Sequence, residues 1–220
     1  MNETKLKIPG ENDFFTQEAY KTLRTNLQFC GQDIHAIMVT SCSENEGKTT
    51  VSLGLGKSMA ELGKKVFVID ADMRKSVIAG RNADVRFPAG LSEVITGQES
   101  LDNCLYATQY PNLTLMFSGQ YPPNPVELLS GRYFDALIAG SRKTFDYIII
   151  DTPPLGSVID AAVIAPKCDG AILVISDQSV GRRLALDVVN QLKKSECPIL
   201  GVVRNNVKKK NDRYYYKKYY

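Results

Sequence analysis

The chain has 220 residues, 44% hydrophobic and 23% charged, with a net charge of +3. That length and balance fit one domain of the larger α/β kind with a buried core. A membrane span, a secretory leader and a zinc module are excluded: no apolar run nears the ~20 residues of a span, and five scattered cysteines and one histidine lack metal spacing.

Residues 1–13 are polar and are expected to be loose. Phe14 to Phe29 follows with Phe15, Ala19, Leu23 and Leu27 at helical spacing, which predicts an amphipathic helix. His35 stands just before the first apolar run and is read as structural. Strands are expected over Ala36–Thr40, Lys65–Asp70, Leu113–Phe117, Tyr147–Asp151, Ala171–Ser176 and Ile199–Arg204. Helices are expected to start near Lys48, Asn124, Asp160 and Val180. Runs such as Ile148-Ile-Ile150 are continuously apolar, as parallel strands covered on both faces must be. The alternation predicts an α/β fold, a doubly wound, mostly parallel sheet with helices on both faces. Segment 76–110 is less regular and is expected to be a surface insertion.

The chain closes on a different composition. Residues 204–220 hold seven basic residues, one acid (Asp212) and five tyrosines: Tyr214, Tyr215, Tyr216, Tyr219 and Tyr220. The segment is therefore 7 − 1 = +6, and the remainder is 3 − 6 = −3. This predicts a folded unit over 1–205 and a flexible basic tail over 206–220. The scattered cysteines point to a reduced, cytoplasmic setting, with any membrane contact made through a partner or through the tail.

Chemistry gathers at the strand ends. Ala36-Ile-Met-Val-Thr40 runs into Ser41-Cys-Ser-Glu-Asn-Glu-Gly-Lys-Thr-Thr50, and the chain turns helical from Thr49. A strand, a tight loop and a helix N-terminus together suit a nucleotide's phosphates. Ser43, Glu44, Asn45, Glu46, Gly47, Lys48, Thr49 and Thr50 line this candidate site. Lys48 would reach the β and γ phosphates of ATP, and Thr49 would ligate Mg²⁺. Cys42 stands where such loops carry their first glycine, and Asn45 takes a second glycine position, where it tolerates positive φ. Two further strands end in acids: Val66-Phe-Val-Ile-Asp70-Ala-Asp72-Met-Arg74 and Tyr147-Ile-Ile-Ile-Asp151-Thr-Pro-Pro154. Asp70 and Asp151 join Thr49 as candidate metal ligands, since Mg²⁺ takes a few oxygens and keeps its waters. Asp70 and Asp72 are candidates to orient or deprotonate an acceptor, and Arg74 to steady the acids or a phosphate.

The order of phosphate loop, Val-Ile-Asp-Ala-Asp-Met-Arg and Ile-Ile-Asp-Thr-Pro-Pro resembles the bacterial tyrosine kinases of capsule and exopolysaccharide synthesis. These sit among the deviant-Walker P-loop ATPases, with the septum-site and plasmid-partition proteins. Gly119-Gln-Tyr-Pro-Pro-Asn-Pro-Val-Glu-Leu-Leu129 and the terminal tyrosines resemble the kinases more specifically. The resemblance implies catalytic roles for Lys48, Asp70, Asp72 and Asp151, and places Asn205 near the adenine, although Arg204 replaces the usual leucine. It also implies a Glu-x-x-Arg-x-x-Arg helix that builds a ring of subunits. Here that helix reads Glu18, Lys21 and Arg24, and lysine lacks the planar fork of arginine.

The expected activity is thus an ATP- and Mg²⁺-dependent protein-tyrosine kinase that phosphorylates its own tail and other protein tyrosines. It would act in a homo-oligomer, on the inner face of the membrane, with a separate-chain transmembrane activator and no nucleic acid. Five phosphotyrosines would add roughly −7.5 to −10 to a +6 segment and reverse its sign. The alternative is a positioning or partition ATPase working as a nucleotide-dependent dimer switch, which has no use for phosphotyrosine. A third possibility is a non-catalytic scaffold whose tail binds a partner.

Overall fold

Side chains leave both faces of the central strands into apolar surroundings. A computed structural model describes residues 2–83, 88–177 and 180–207. Its strands are β1 (Asn2–Thr4), β2 (Ala36–Ser41), β3 (Val66–Asp70), β4 (Tyr106–Thr108), β5 (Leu113–Met116), β6 (Tyr147–Asp151), β7 (Gly170–Ser176) and β8 (Ile199–Asn205). They form one sheet in the order β1-β4-β5-β3-β6-β2-β7-β8, parallel throughout except for the β4–β5 pair. The helices are α1 (Phe14–Phe29), α2 (Lys48–Ala60), α3 (Leu91–Thr96), α4 (Pro125–Ser130), α5 (Arg132–Ser141), α6 (Asp160–Ile164) and α7 (Arg182–Lys194).

The strand period of two sorts the core into two layers. Met38, Phe67, Ile69, Ile148 and Ile150 pack against α3 to α7, around Leu91, Phe134, Ile138 and Leu192. Ile37, Val39, Val68 and Ile149 face the other way, against Val51, Leu55 and Met59 of α2 and Leu27 of α1. Each fully buried side chain of this size contributes about 1.5–3 kcal/mol. The second layer is thin where α2 crosses β3. A Cβ on Gly56 would lie 2.9 Å from a Val68 methyl, so glycine sets the closeness of helix and sheet there.

The six expected strands are present to within about a residue, and the doubly wound parallel sheet is the observed fold. Two expectations fail. Residues 2–13 are not loose: Asn2–Thr4 pairs with β4, and Leu6 and Ile8 are buried. Segment 76–110 is not a surface insertion, because Ile78, Leu91, Ile95 and Cys104 are core residues and Tyr106 opens a strand of the sheet. Both regions build their structure in pieces too short to show a period. The helix expected from Asn124 is two helices, broken at Gly131. Among the described residues no helix is long and apolar enough to cross a membrane. Residues 208–220, with Tyr214, Tyr215, Tyr216, Tyr219 and Tyr220, lie outside the described residues.

Candidate active site

The loop after β2 is shaped by two left-handed residues, Asn45 at φ 61° and Gly47 at φ 87°. Gly47 is the N-cap of α2, and no side chain caps the first turn. The N–H groups at that helix start are therefore available to an anion. Glu46 is almost fully buried, and its carboxylate accepts from Ser43 N at 2.7 Å and Ser176 N at 3.1 Å. It therefore holds the loop to itself and to the end of β7, so its part in the site is structural rather than direct contact with phosphate. Glu44 is exposed and pairs with Lys75 at 2.6 Å. Asn205, at the end of β8, donates from Nδ2 to the Glu46 carbonyl at 2.9 Å. A Cβ on Gly47 would lie 2.0 Å from that nitrogen, so only glycine fits under Asn205.

Asp70 and Asp151 are register partners at the carboxyl ends of β3 and β6. Thr49 donates to Asp151 at 2.6 Å and Ser52 at 3.0 Å. Asp70 accepts from the Ser76 hydroxyl and, at 3.2 Å, from Asp72 N. Burial and then the Asp151 charge push the Asp70 carboxyl well above the ordinary range, only partly offset by Ser76. Burial likewise lifts Asp151 to about 6, against the pull of Lys48, Thr49 and Ser52. The cation close to this group is Lys48, whose Nζ lies 3.3 Å from Asp72. These acids are short of positive charge. Among the described residues no three His, Cys, Asp or Glu side chains converge enough to hold a metal by themselves. Mg²⁺ needs only one or two carboxylates alongside phosphate and water, and Thr49, Asp70 and Asp151 supply hard oxygens of that kind.

A cleft of about 870 Å³ is lined by Lys48, Thr49, Asp72, Arg74, Pro154 and Asn205 among others, with Asp70 and Asp151 buried beneath it. Arg74 is turned away from the paired acids of β3 and β6: its Nε donates to both oxygens of Asp160, at 2.9 and 3.1 Å. Of the helix series, Glu18 and Lys21 pair with each other at 2.7 Å on the partly exposed side of α1. Arg24 points inward, donating to the Ser58 carbonyl of α2 at 2.7 Å. The neighbouring Tyr20 donates to the Thr50 carbonyl at 3.0 Å, and its ring occupies the space a Cβ on Gly54 would take. Burial pushes the Tyr20 phenol up to about 12. Ser52, Ser76, Tyr20 and Asp160 escaped the sequence reading. Ser52, one helical turn beyond Lys48, carried the only usable signal.

The sequence family described as AAA domain matches residues 36–197. The tyrosine-protein kinase CpsD of Streptococcus agalactiae is 40% identical over 192 residues, 87% of this chain and 84% of that protein. The kinase domain of Escherichia coli tyrosine kinase ETK matches 88% of this chain and 76% of its own, with TM-score 0.84 and 30% identity. The septum site-determining protein MinD of Pyrococcus horikoshii, solved with Mg-ADP, matches 77% of this chain and 69% of its own, with TM-score 0.64 and 27% identity.

Proposed function

This chain belongs to the bacterial tyrosine kinases, a branch of the nucleotide-binding P-loop ATPases, and we propose that its acceptors include its own Tyr214, Tyr215, Tyr216, Tyr219 and Tyr220. One observation supports this reading. The side chain of Asn205, which immediately precedes the tail, donates to the Glu46 carbonyl of the phosphate loop, so the last strand ends beside the candidate phosphoryl donor site.

The N–H groups at the start of α2 bind the phosphates of ATP, and Lys48 neutralises the oxygens around the breaking bond. Thr49, Asp70 and Asp151 hold Mg²⁺, which when bound supplies positive charge against the phosphate oxygens. The acceptor phenol forms its new O–P bond to the γ-phosphorus as the bond to the β–γ bridging oxygen breaks, and ADP leaves. Asp72 takes the phenol proton in preference to Asp70, because Asp72 lines the cleft whereas Asp70 is fully buried beneath it. Asn205 holds the loop in shape.

The chain works in an oligomer, a ring in which α1 meets a neighbour through Glu18 and Lys21, while Arg24 fixes α1 to α2. From Asn206 to Tyr214 the tail spans at most ~3.3–3.6 Å per residue, which favours a neighbour's cleft over its own. Multiple phosphorylation then reverses the tail's charge and loosens the assembly. The activator is a separate transmembrane chain that recruits the kinase to the inner membrane face, and the process served is capsule or exopolysaccharide synthesis or export. The test mixes a Lys48→Met chain bearing an intact tail with an active chain whose five tail tyrosines are phenylalanine, in the presence of ATP and Mg²⁺. Phosphate mapped to the inactive chain's tail supports transfer between subunits. A tail without phosphate, in a mixture where wild type labels itself normally, refutes it. Replacing Glu18, Lys21 and Arg24 with alanine should disperse the assembly in sedimentation; unchanged assembly removes α1 from the interface.

A further inference from the structure

Asp160 has no part in the site as built so far, yet it is placed at some cost. It is the first residue of α6, it is 1% exposed, and its carboxylate spends both oxygens on the single Nε of Arg74. Burying a carboxylate is costly unless it is paired or hydrogen-bonded, and arginine more often meets one with two parallel N–H groups. Here Nε alone serves Asp160, and among the described residues neither Nη group makes a hydrogen bond. The Arg74 side chain is about one-third exposed and lines the cleft together with Lys48, Asp72 and Thr49. It also feels the charge of Asp72. Without Asp160, Arg74 would be drawn to Asp72 and would compete with Lys48 for the same carboxylate.

Resting on the reading of this cleft as the nucleotide site, we propose that Asp160 is a positioning residue for phosphoryl transfer. It clamps Arg74 through Nε, which keeps the guanidinium off Asp72 and leaves its Nη groups to bind the equatorial oxygens of the transferring phosphoryl group. Charge on those oxygens must be matched in the transition state, and an arginine with its Nη groups uncommitted is suited to match it. Asp160 itself touches neither substrate nor metal.

The test uses the full chain, with the dissociation constant of a fluorescent ATP analogue measured separately from the rate of tyrosine phosphorylation at saturating ATP. Asp160→Asn should cut the rate roughly 10–100-fold while leaving the dissociation constant within about twofold. Asp160→Glu should recover part of the rate. Arg74→Gln should lose as much as Asp160→Asn, and the double variant should be no slower than either single one. A wild-type rate in Asp160→Asn, or losses that multiply in the double variant, overturns the proposal. So does a fall in nucleotide affinity that accounts for the whole loss of rate.

A second comparison does not depend on a buried substitution. Lysine at position 74 has one nitrogen, which Asp160 would consume. Arg74→Lys must therefore be about as slow as Arg74→Gln, and a fast Arg74→Lys sinks the idea. Failure of the wild-type chain to bind the analogue would instead strike the nucleotide-site reading underneath.

Discussion

The central strands carry acids at both ends, half-buried at the amino end and fully buried at the carboxyl end, and the two ends treat them in opposite ways. At the amino end, Asp169 precedes β7. It accepts His35 N at 2.8 Å, Ala36 N at 2.7 Å and both Nη groups of Arg142 at 2.7 and 2.9 Å. Burial pushes that carboxyl up, but Arg142 and the two backbone N–H groups outweigh it and hold the group below the usual carboxylate range. At the carboxyl end, Asp70 and Asp151 stand side by side with hydroxyl donors and, among the described residues, without an ion pair of their own; both are pushed up, Asp151 despite the pull of Lys48. The same residue type is a structural rivet at one end and an unmet demand for positive charge at the other. A satisfied acid ties strands together. An unsatisfied one is tolerated only because a ligand can satisfy it.

That contrast can be broken most forcefully at the carboxyl end. Lys48→Met and Asp151→Asn should each cut phosphorylation at least about a hundredfold, with an unchanged circular-dichroism spectrum. A folded variant of either kind that labels normally would show that these charges are not used in the chemistry. Stability should respond in the reverse pattern. Asp169→Asn should lower unfolding stability by about 2 kcal/mol, since it leaves Arg142 short of a charged partner, whereas Asp70→Asn should melt no lower than wild type, because it removes a like-charge neighbour. Equal destabilisation by both would erase the distinction.

The acid side of the stability profile sharpens it further. Asp169 has a folded-state pKa below its unfolded value of about 3.9, so the native state binds fewer protons there. Its contribution is fully present above pH ~4 and is lost as pH falls through the folded value. The gap in urea midpoint between wild type and Asp169→Asn should therefore narrow below pH 4; a gap constant from pH 7 to 3 would contradict the assignment. The smallest effect belongs to the outer rim. Lys75→Ala removes an exposed pair with Glu44 and should leave the urea midpoint unchanged within error, because solvent screens such pairs. A clear drop would mean that Lys75 supports the loop.

Much of the carboxyl end could be read from the chain, because the strands feeding it are buried on both faces and end abruptly in Asp70, Asp151 and the phosphate loop. The amino end could not. Asp169 finds its partners at His35, Ala36 and Arg142, up to 134 residues away, and nothing local marks it. The same holds for Asp160 with Arg74 and for Arg24 with Ser58. The regular spacing of Glu18, Lys21 and Arg24 does not say which side of α1 meets α2, and it is Arg24 that reaches Ser58. Segment 76–110 was misread for a different reason. Its fit depends on close backbone approaches, such as Gly90, whose Cβ would lie 2.1 Å from the Phe117 carbonyl oxygen, and glycine in a sequence looks like a loop residue.

The position of β6 has a consequence for the growing polypeptide. β2, which carries the phosphate loop, and β3, which ends in Asp70, never pair with each other, because β6 lies between them. While the ribosome is still making residue 146, those two strands have no shared neighbour, and the Thr49 hydroxyl has no Asp151 to meet. Ser176 and Asn205, which brace Glu46 and Gly47, arrive later still. The nascent chain thus has its lysine early but no assembled site until β6, Ser176 and Asn205 have been made, so a product truncated before β6 lacks the site. Ribosome-stalled chains ending at 146 should fail to retain a fluorescent ATP analogue that the released full-length chain retains; retention by the stalled chains would show that the loop is organised without β6.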